Sequence, residues 1–226
     1  MSTMTPSISF SRRAWAHAMT HIKDKDLVIA SIISIVLLCA SLYVSYFASV
    51  YASKSASNYV TDIILSNIPV IDVDWIFMYG PLVMWCVVTA LLFYRPKFFP
   101  FTLKSISLFI LVRAIFLSLT HIGPFPNHLV MDQESLINFF TSDSDLFFSA
   151  HTGLPFLMAL IFWHSRAWRY LFMVTAVFFG VIVLVAHVHY SIDVAGAFFI
   201  TYSIHRLAQL AFKKDWDRTK HAGVWG

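Results

Sequence analysis

The run 27-LVIASIISIVLLCASLYVSYFASVYAS-53 holds no charged side chain from Leu27 to Ser53. An α-helix rises about 1.5 Å per residue, so roughly 20 apolar residues cross the ~30 Å hydrocarbon core of a bilayer. This run is long enough to cross with tilt. A signal peptide would be shorter and nearer the N-terminus, although Val50-Tyr51-Ala52 imitates a cleavage site. The segment therefore reads as a membrane anchor, and the rest of the chain repeats the pattern.

Of 226 residues, 58% are hydrophobic and 12% are charged. Soluble domains carry about 25% charged residues. Five more apolar runs follow, at about 75–94, 101–121, 147–164, 168–187 and 190–211. The second contains Gly80-Pro81, which predicts a kink. The third carries Arg113 within it. The expected fold is all-α, a polytopic membrane protein built as a six-transmembrane-helix bundle. Residues 1–26 form an amphipathic, basic N-terminal segment, 27–212 the membrane domain, and 213–226 a basic tail. No internal repeat, low-complexity tract or soluble domain interrupts this plan. Cys39 and Cys86 lie inside apolar runs and read as buried spare thiols, which support neither a disulfide framework nor a zinc site.

The sequence pI of about 9.1 does not point to nucleic acid. The basic residues gather in short segments beside apolar runs, where topology explains them. Arg12, Arg13, Lys23 and Lys25 precede the first run. Arg95, Lys97 and Lys104 join the second to the third. Arg166 and Arg169 join the fourth to the fifth. Arg206, Lys213, Lys214, Arg218 and Lys220 close the chain. Those fourteen, of sixteen in all, fall on one side. Lys54 lies on the other, and Arg113 lies within a span. By the positive-inside rule both termini are cytoplasmic, and an even number of spans agrees with that. The opposite face is acidic, with Asp62, Asp72, Asp74, Asp132, Glu134, Asp143, Asp145 and Asp193. It is periplasmic, lumenal or extracellular.

Two polar islands share that face. One is Ala186-His187-Val188-His189-Tyr190-Ser191-Ile192-Asp193, and the other is Phe148-Ser149-Ala150-His151-Thr152. Ionisable groups at the edge of a bilayer are costly to hold there, so they are functional candidates. If residues 189–193 open the sixth helix, His189 and Asp193 share a face. A carboxylate on one imidazole nitrogen fixes the tautomer and leaves the other nitrogen free to attack or take a proton. Histidine can attack phosphorus and form a phospho-enzyme. His151 is then a candidate general acid for the leaving oxygen. Ser149 and Thr152 can hydrogen-bond phosphate oxygens, and free N–H groups at the start of that helix favour an anion. Arg113 either pairs structurally or faces the bundle interior and clamps phosphate. His121 and His128 read as loop histidines. His187 and His189 could be an H-x-H metal pair, but on a helix that spacing points the rings apart, so no metal is expected. His187 reads as a neighbour of the site.

These residues, in this order, resemble the sphingomyelin-synthase-like branch of the type-2 phosphatidic acid phosphatase superfamily. The stretch from Asp145 through Ser149 and His151 to Thr152 looks like that branch's D-x-x-x-S-G-H-T segment. The stretch from Ala186 through His187, His189 and Tyr190 to Asp193 looks like its A-H-x-H-Y-[ST]-x-D segment, the more specific match. Arg113, Leu119-Thr120 and Pro124 resemble the segment after the start of its third helix. Ile68-Pro69-Val70-Ile71-Asp72 weakly resembles its L-P-D segment. The likeness covers about residues 65–206. It implies a cofactor-free phosphotransfer in which His189, oriented by Asp193, attacks a lipid head-group phosphorus. His151 would protonate the departing alkoxide. Arg113, Ser149, Thr152, Asp145 and Tyr190 would bind substrate. A lipid alcohol as acceptor makes the protein a head-group transferase, and water makes it a phospholipase C.

Departures from the pattern narrow the substrate. Ala150 replaces the usual glycine. Ile182 and Val183 stand where the wider superfamily has Ser-Arg, and its Lys-x6-Arg-Pro segment is missing. Most of the cationic clamp for dianionic phosphomonoesters is therefore absent. A phosphodiester carries one negative charge and needs less compensation, which favours a phosphodiester lipid as donor. The alternative enzyme is a lipid phosphate phosphatase acting on phosphatidic acid. A proton-coupled carrier is the non-enzymatic alternative, but carriers place ionisable groups near mid-membrane and often show repeated halves.

Overall fold

A computed structural model describes residues 24–126 and 146–220 of the chain. Among these the secondary structure is helical throughout. The helices are α1 (Lys25–Ser55), α2 (Asp74–Tyr94), α3 (Phe99–Leu119), α4 (Ala150–Ile161), α5 (Arg166–Val185), α6 (Ser191–Ala211) and α7 (Lys213–Lys220), with a 3-10 turn, Pro96–Phe98, leading into α3. Each predicted apolar run overlaps one of the first six. Four are long and apolar enough to cross a membrane: α1, α2, the continuous turn and helix Pro96–Leu119, and α5. α6 has 21 residues but includes Asp193, His205 and Arg206, and it falls outside that group. α4 has 12 residues, about 18 Å of helix, which is less than the 147–164 predicted. Most of its residues are buried within the bundle, where irregular backbone at its ends is tolerated.

Local chemistry explains the helix boundaries. Asp24 caps α1 by accepting from the Leu27 N–H at 3.1 Å, and Asp26 adds an acidic group in the first turn, where the helix dipole favours it. Pro96 and Pro100 stand at first-turn positions, where no N–H is needed. α2 runs unbroken through Pro81. Its neighbour Gly80 is needed for packing, because a Cβ there would lie 2.6 Å from the Phe179 ring of α5.

The core lies among α3, α4, α5 and α6. Phe101, Phe109, Leu157, Met158, Phe172 and Ile204 are almost fully buried there. α1 packs along α3, α4 against α5 and α6, and α2 against α5. The outer faces reverse the pattern of a soluble protein. Val36, Tyr43, Phe93, Val174, Phe199 and Leu210 are each more than 60% exposed. Apolar surface on this scale has no place in water and suits contact with lipid.

Three sequence expectations change here. Cys39 and Cys86 are free but exposed, because both lie on outward helix faces. Lys104 is not in a loop: it lies inside α3, 9% exposed, and pairs with Asp215. The basic tail folds through residue 220 as α7, whose Asp215 also accepts from Arg218 at 3.1 Å. Lys214 reaches Asp26 at the start of α1, also at 3.1 Å. A buried lysine needs such a partner to stay charged. Residues 1–23, His128, Asp132, Glu134, Asp143 and Asp145 lie outside the described residues.

Candidate active site

The two polar islands meet. The Ser149 N–H donates to the Asp193 carbonyl at 3.1 Å, joining the start of α4 to the first turn of α6. α6 begins at Ser191, so His189 stands just before the helix rather than within it. The expected pair still forms: His189 Nδ1 is 3.3 Å from Asp193 Oδ2, with both side chains buried. The same Oδ2 accepts from the Tyr190 N–H at 3.1 Å. Asp193 is thus held by the backbone it caps and holds the imidazole in turn. With Nδ1 facing the carboxylate, Nε2 is the nitrogen with a free lone pair.

His151 occupies the first turn of α4, one residue after Ala150. Its ring lies against Phe77 of α2, with centroids 4.2 Å apart and planes 30° apart, and Phe179 meets it edge-on at 6.3 Å. Pro81 and Pro155 lack the N–H that would bond the carbonyls of Phe77 and His151, so those two carbonyls go without that helical partner beside the site. Arg113 is 7% exposed and donates from Nε to the Phe148 carbonyl at 3.2 Å.

His151, His187, His189 and Arg113 line one cavity of about 810 Å³. They sit at its polar end. The remaining wall is mostly apolar, with Ser45 and Thr89 as its polar members, and reaches Leu103 on α3, ten residues before Arg113, or about 15 Å along the helix axis. Leu38 and Leu42 of α1 and Leu82 and Phe93 of α2 also line it. Leu42, Leu82 and Phe93 are each at least 40% exposed.

The other predicted residues have different places. The Ser149 hydroxyl is buried and caps α4 by accepting from the Thr152 N–H at 3.4 Å. Thr152 is buried against Gly180 of α5. Neither lines the cavity. Tyr190 is 1% exposed, and its hydroxyl donates to the Gly123 carbonyl at 2.8 Å and accepts from the Val60 N–H at 3.3 Å. It ties down the loops over the site and does not reach the cavity. His121 is a loop residue whose carbonyl accepts from Ser57 N–H at 2.9 Å. No group of three metal-binding side chains occurs among the described residues.

Two groups carry more weight than their sequence context suggests. Asp62 is 7% exposed and accepts from Ser191 N–H at 2.7 Å and Ser191 Oγ at 2.8 Å. It also accepts from Ile64 N–H at 2.8 Å and Leu65 N–H at 3.1 Å. Burial pushes its carboxyl up, but these bonds to the ionised form outweigh burial and hold it below the usual value. In sequence Asp62 was one acidic loop residue among several. Phe77 was one of 22 phenylalanines. Neither carries a local signal, because each acts on a partner distant in the chain.

Comparison with known proteins finds no matching family model, curated protein or solved structure.

Proposed function

We propose that this protein is a membrane-embedded lipid phosphotransferase that cleaves a phospholipid head group through a phospho-histidine. The observation that carries the reading is the buried His189–Asp193 pair at the polar end of a cavity that also takes in His151 and Arg113. Its volume falls in the range of about 300–1,000 Å³ typical of ligand sites. Its shape suits an amphiphile, with charged and imidazole groups at one end and about 15 Å of mostly apolar wall beyond.

In this mechanism the His189 Nε2 lone pair attacks phosphorus. An N–P bond forms as the P–O bond to the lipid alcohol breaks. His151 gives its proton to the leaving alkoxide. The acceptor, a lipid alcohol or water, then attacks phosphorus while His151 takes the acceptor's proton. The N–P bond breaks and His189 is restored. Asp193 stabilises the imidazolium character that develops on His189. Arg113 is the one arginine or lysine among the described residues that lines the cavity. A single cation matches a phosphodiester monoanion better than a phosphomonoester dianion. The reading carries six membrane crossings, with both termini on the basic, cytoplasmic side and the site at the opposite surface.

The test is incubation of the reconstituted protein with a panel of fluorescent phospholipids, with and without ceramide or diacylglycerol. Thin-layer separation then distinguishes transfer from hydrolysis. His189→Ala, His151→Ala and Asp193→Asn should each lower turnover by at least about 10³-fold with folding retained. Full activity of His189→Ala sinks the reading. Phosphate release from phosphatidic acid alone, with no phosphodiester cleaved, replaces it with a phosphomonoesterase.

A further inference from the structure

His187 stands where α5 ends. Its N–H donates to the Leu184 carbonyl at 3.0 Å, and the Val188 N–H donates to the Val183 carbonyl at 3.1 Å. This pair of bonds is a Schellman closure, whose C′ residue adopts the left-handed conformation and is usually glycine. His187 fills that position at φ 56, and it is the one non-glycine residue with positive φ among those described. Left-handed backbone is strained for an ordinary residue, because Cβ crowds the carbonyl oxygen. Glycine would close the helix equally well without that cost.

The side chain adds a second cost. His187 is 4% exposed, and neither ring nitrogen has a hydrogen-bond partner among the described residues. An unpaired buried polar group is destabilising, because it gives up water and gains no partner. The ring is packed in place, with the Phe125 ring edge-on at 5.4 Å. Helix closure therefore needs no imidazole here, and packing needs no nitrogen. Yet the residue forms part of the cavity wall beside His189, His151 and Arg113. Strain and unmet hydrogen bonding concentrated at one cavity residue point to a ligand.

We propose that His187 contacts the substrate, donating an imidazole N–H to a non-bridging oxygen of the lipid phosphodiester whose phosphorus His189 attacks. This rests on the phosphotransfer reading above. A phosphodiester has two non-bridging oxygens that share one charge, and attack at phosphorus increases the charge on both. Arg113 supplies one set of donors, and His187 supplies a second from another wall of the cavity. A neutral imidazole suffices, because its N–H works as a fixed dipole at the developing charge. His187 and His189 thus divide the work: His189 supplies a lone pair and His187 an N–H.

The test compares His187→Gly with His187→Asn in the full chain. Glycine keeps the turn and removes both the strain and the ring. Asparagine tolerates the left-handed backbone and keeps an N–H donor. Thermal midpoints are measured in detergent without lipid. They are measured again with short-chain phosphatidylcholine, phosphatidylethanolamine or phosphatidylglycerol, and with the matching diacylglycerol. Turnover is followed with the fluorescent phospholipid panel. The expected result for His187→Gly is a lipid-free midpoint close to wild type, with relief of the strained turn offsetting loss of the packed ring. Its kcat/KM falls about 100-fold, mainly in kcat, as for loss of one transition-state donor, and its stabilisation by the phosphodiester lipids shrinks. His187→Asn recovers at least part of both losses.

Wild-type kcat/KM in His187→Gly overturns the role of His187 and leaves the phosphotransfer reading standing. A fall in its lipid-free midpoint, with no recovery in His187→Asn, makes the ring structural and also overturns the proposal. A wild type that neither turns over nor is stabilised by any phosphodiester lipid overturns both readings together.

Discussion

Replacing Asp62 with asparagine tests how the loop before α2 holds the turn that leads from His189 into α6. Asp62 Oδ2 accepts both the backbone N–H and the hydroxyl of Ser191, and Oδ1 accepts two loop N–H groups. In Asp62→Asn the Oδ1 bonds can persist. The other atom becomes an NH2 group facing the Ser191 N–H, so the first residue of α6 loses its partner. Hydrogen bonds to a charged group contribute roughly 1.5–3 kcal/mol each, so loss of two costs on the order of 3–6 kcal/mol. For a chain of this length each kcal/mol moves a thermal midpoint by about 2–4 °C, so the midpoint should fall by roughly 6–24 °C. Asp72→Asn is the control. Asp72 is exposed and accepts one bond, from the Asp74 N–H at 3.2 Å. The pH dependence carries the same signature. Because the folded carboxyl titrates below its usual value, its contribution is fully present above about pH 4 and is lost as pH falls through the folded value. Asp62→Asn should lack that acid-side loss. Scanning fluorimetry of the detergent-solubilised variants between pH 3 and 7 reads both effects. A midpoint within about 2 °C of wild type at pH 7 refutes the reasoning.

Two further predictions concern packing far from that loop. Asp215→Ala strands the buried Lys104 without its carboxylate and should cost about 3–5 kcal/mol, while the double change Lys104→Met with Asp215→Leu recovers most of it. Equal midpoints for the single and double variants would count against the buried pair. Gly153→Ala places a Cβ 2.7 Å from the Phe109 ring and 2.9 Å from Thr201 Oγ1, whereas at Gly180 the nearest atom is Val194 Cγ1 at 3.1 Å. Gly153→Ala should therefore lose about 1–3 kcal/mol and Gly180→Ala less, an order that midpoints of the two variants check.

Much of the site was legible because its parts are local. His189 and Asp193 are four residues apart, and a chain turning into a helix brings such a pair together whether or not the first residue is helical. Ser149 was visible as a polar residue before an apolar run, yet its hydroxyl is consumed in capping α4, because helix N-termini claim the nearest acceptor. Tyr190 sits within the motif, but its hydroxyl serves Gly123 and Val60. Those partners are about 67 and 130 positions away, beyond the reach of any short-range pattern.

Charge and hydropathy along the chain by themselves determined a helical chain, apolar runs long enough to cross a membrane, and polar islands at the ends of such runs. Those properties depend on transfer from water to lipid, which each segment pays residue by residue without reference to its neighbours. Tertiary structure alone decided that His151 and His189 share a cavity with Arg113, that Asp62 anchors α6, and that Lys104 is buried against α7. It also decided that His187 takes a glycine's position. A hydrogen bond or a left-handed turn is fixed by three-dimensional closure among segments far apart in sequence, and composition carries no record of it.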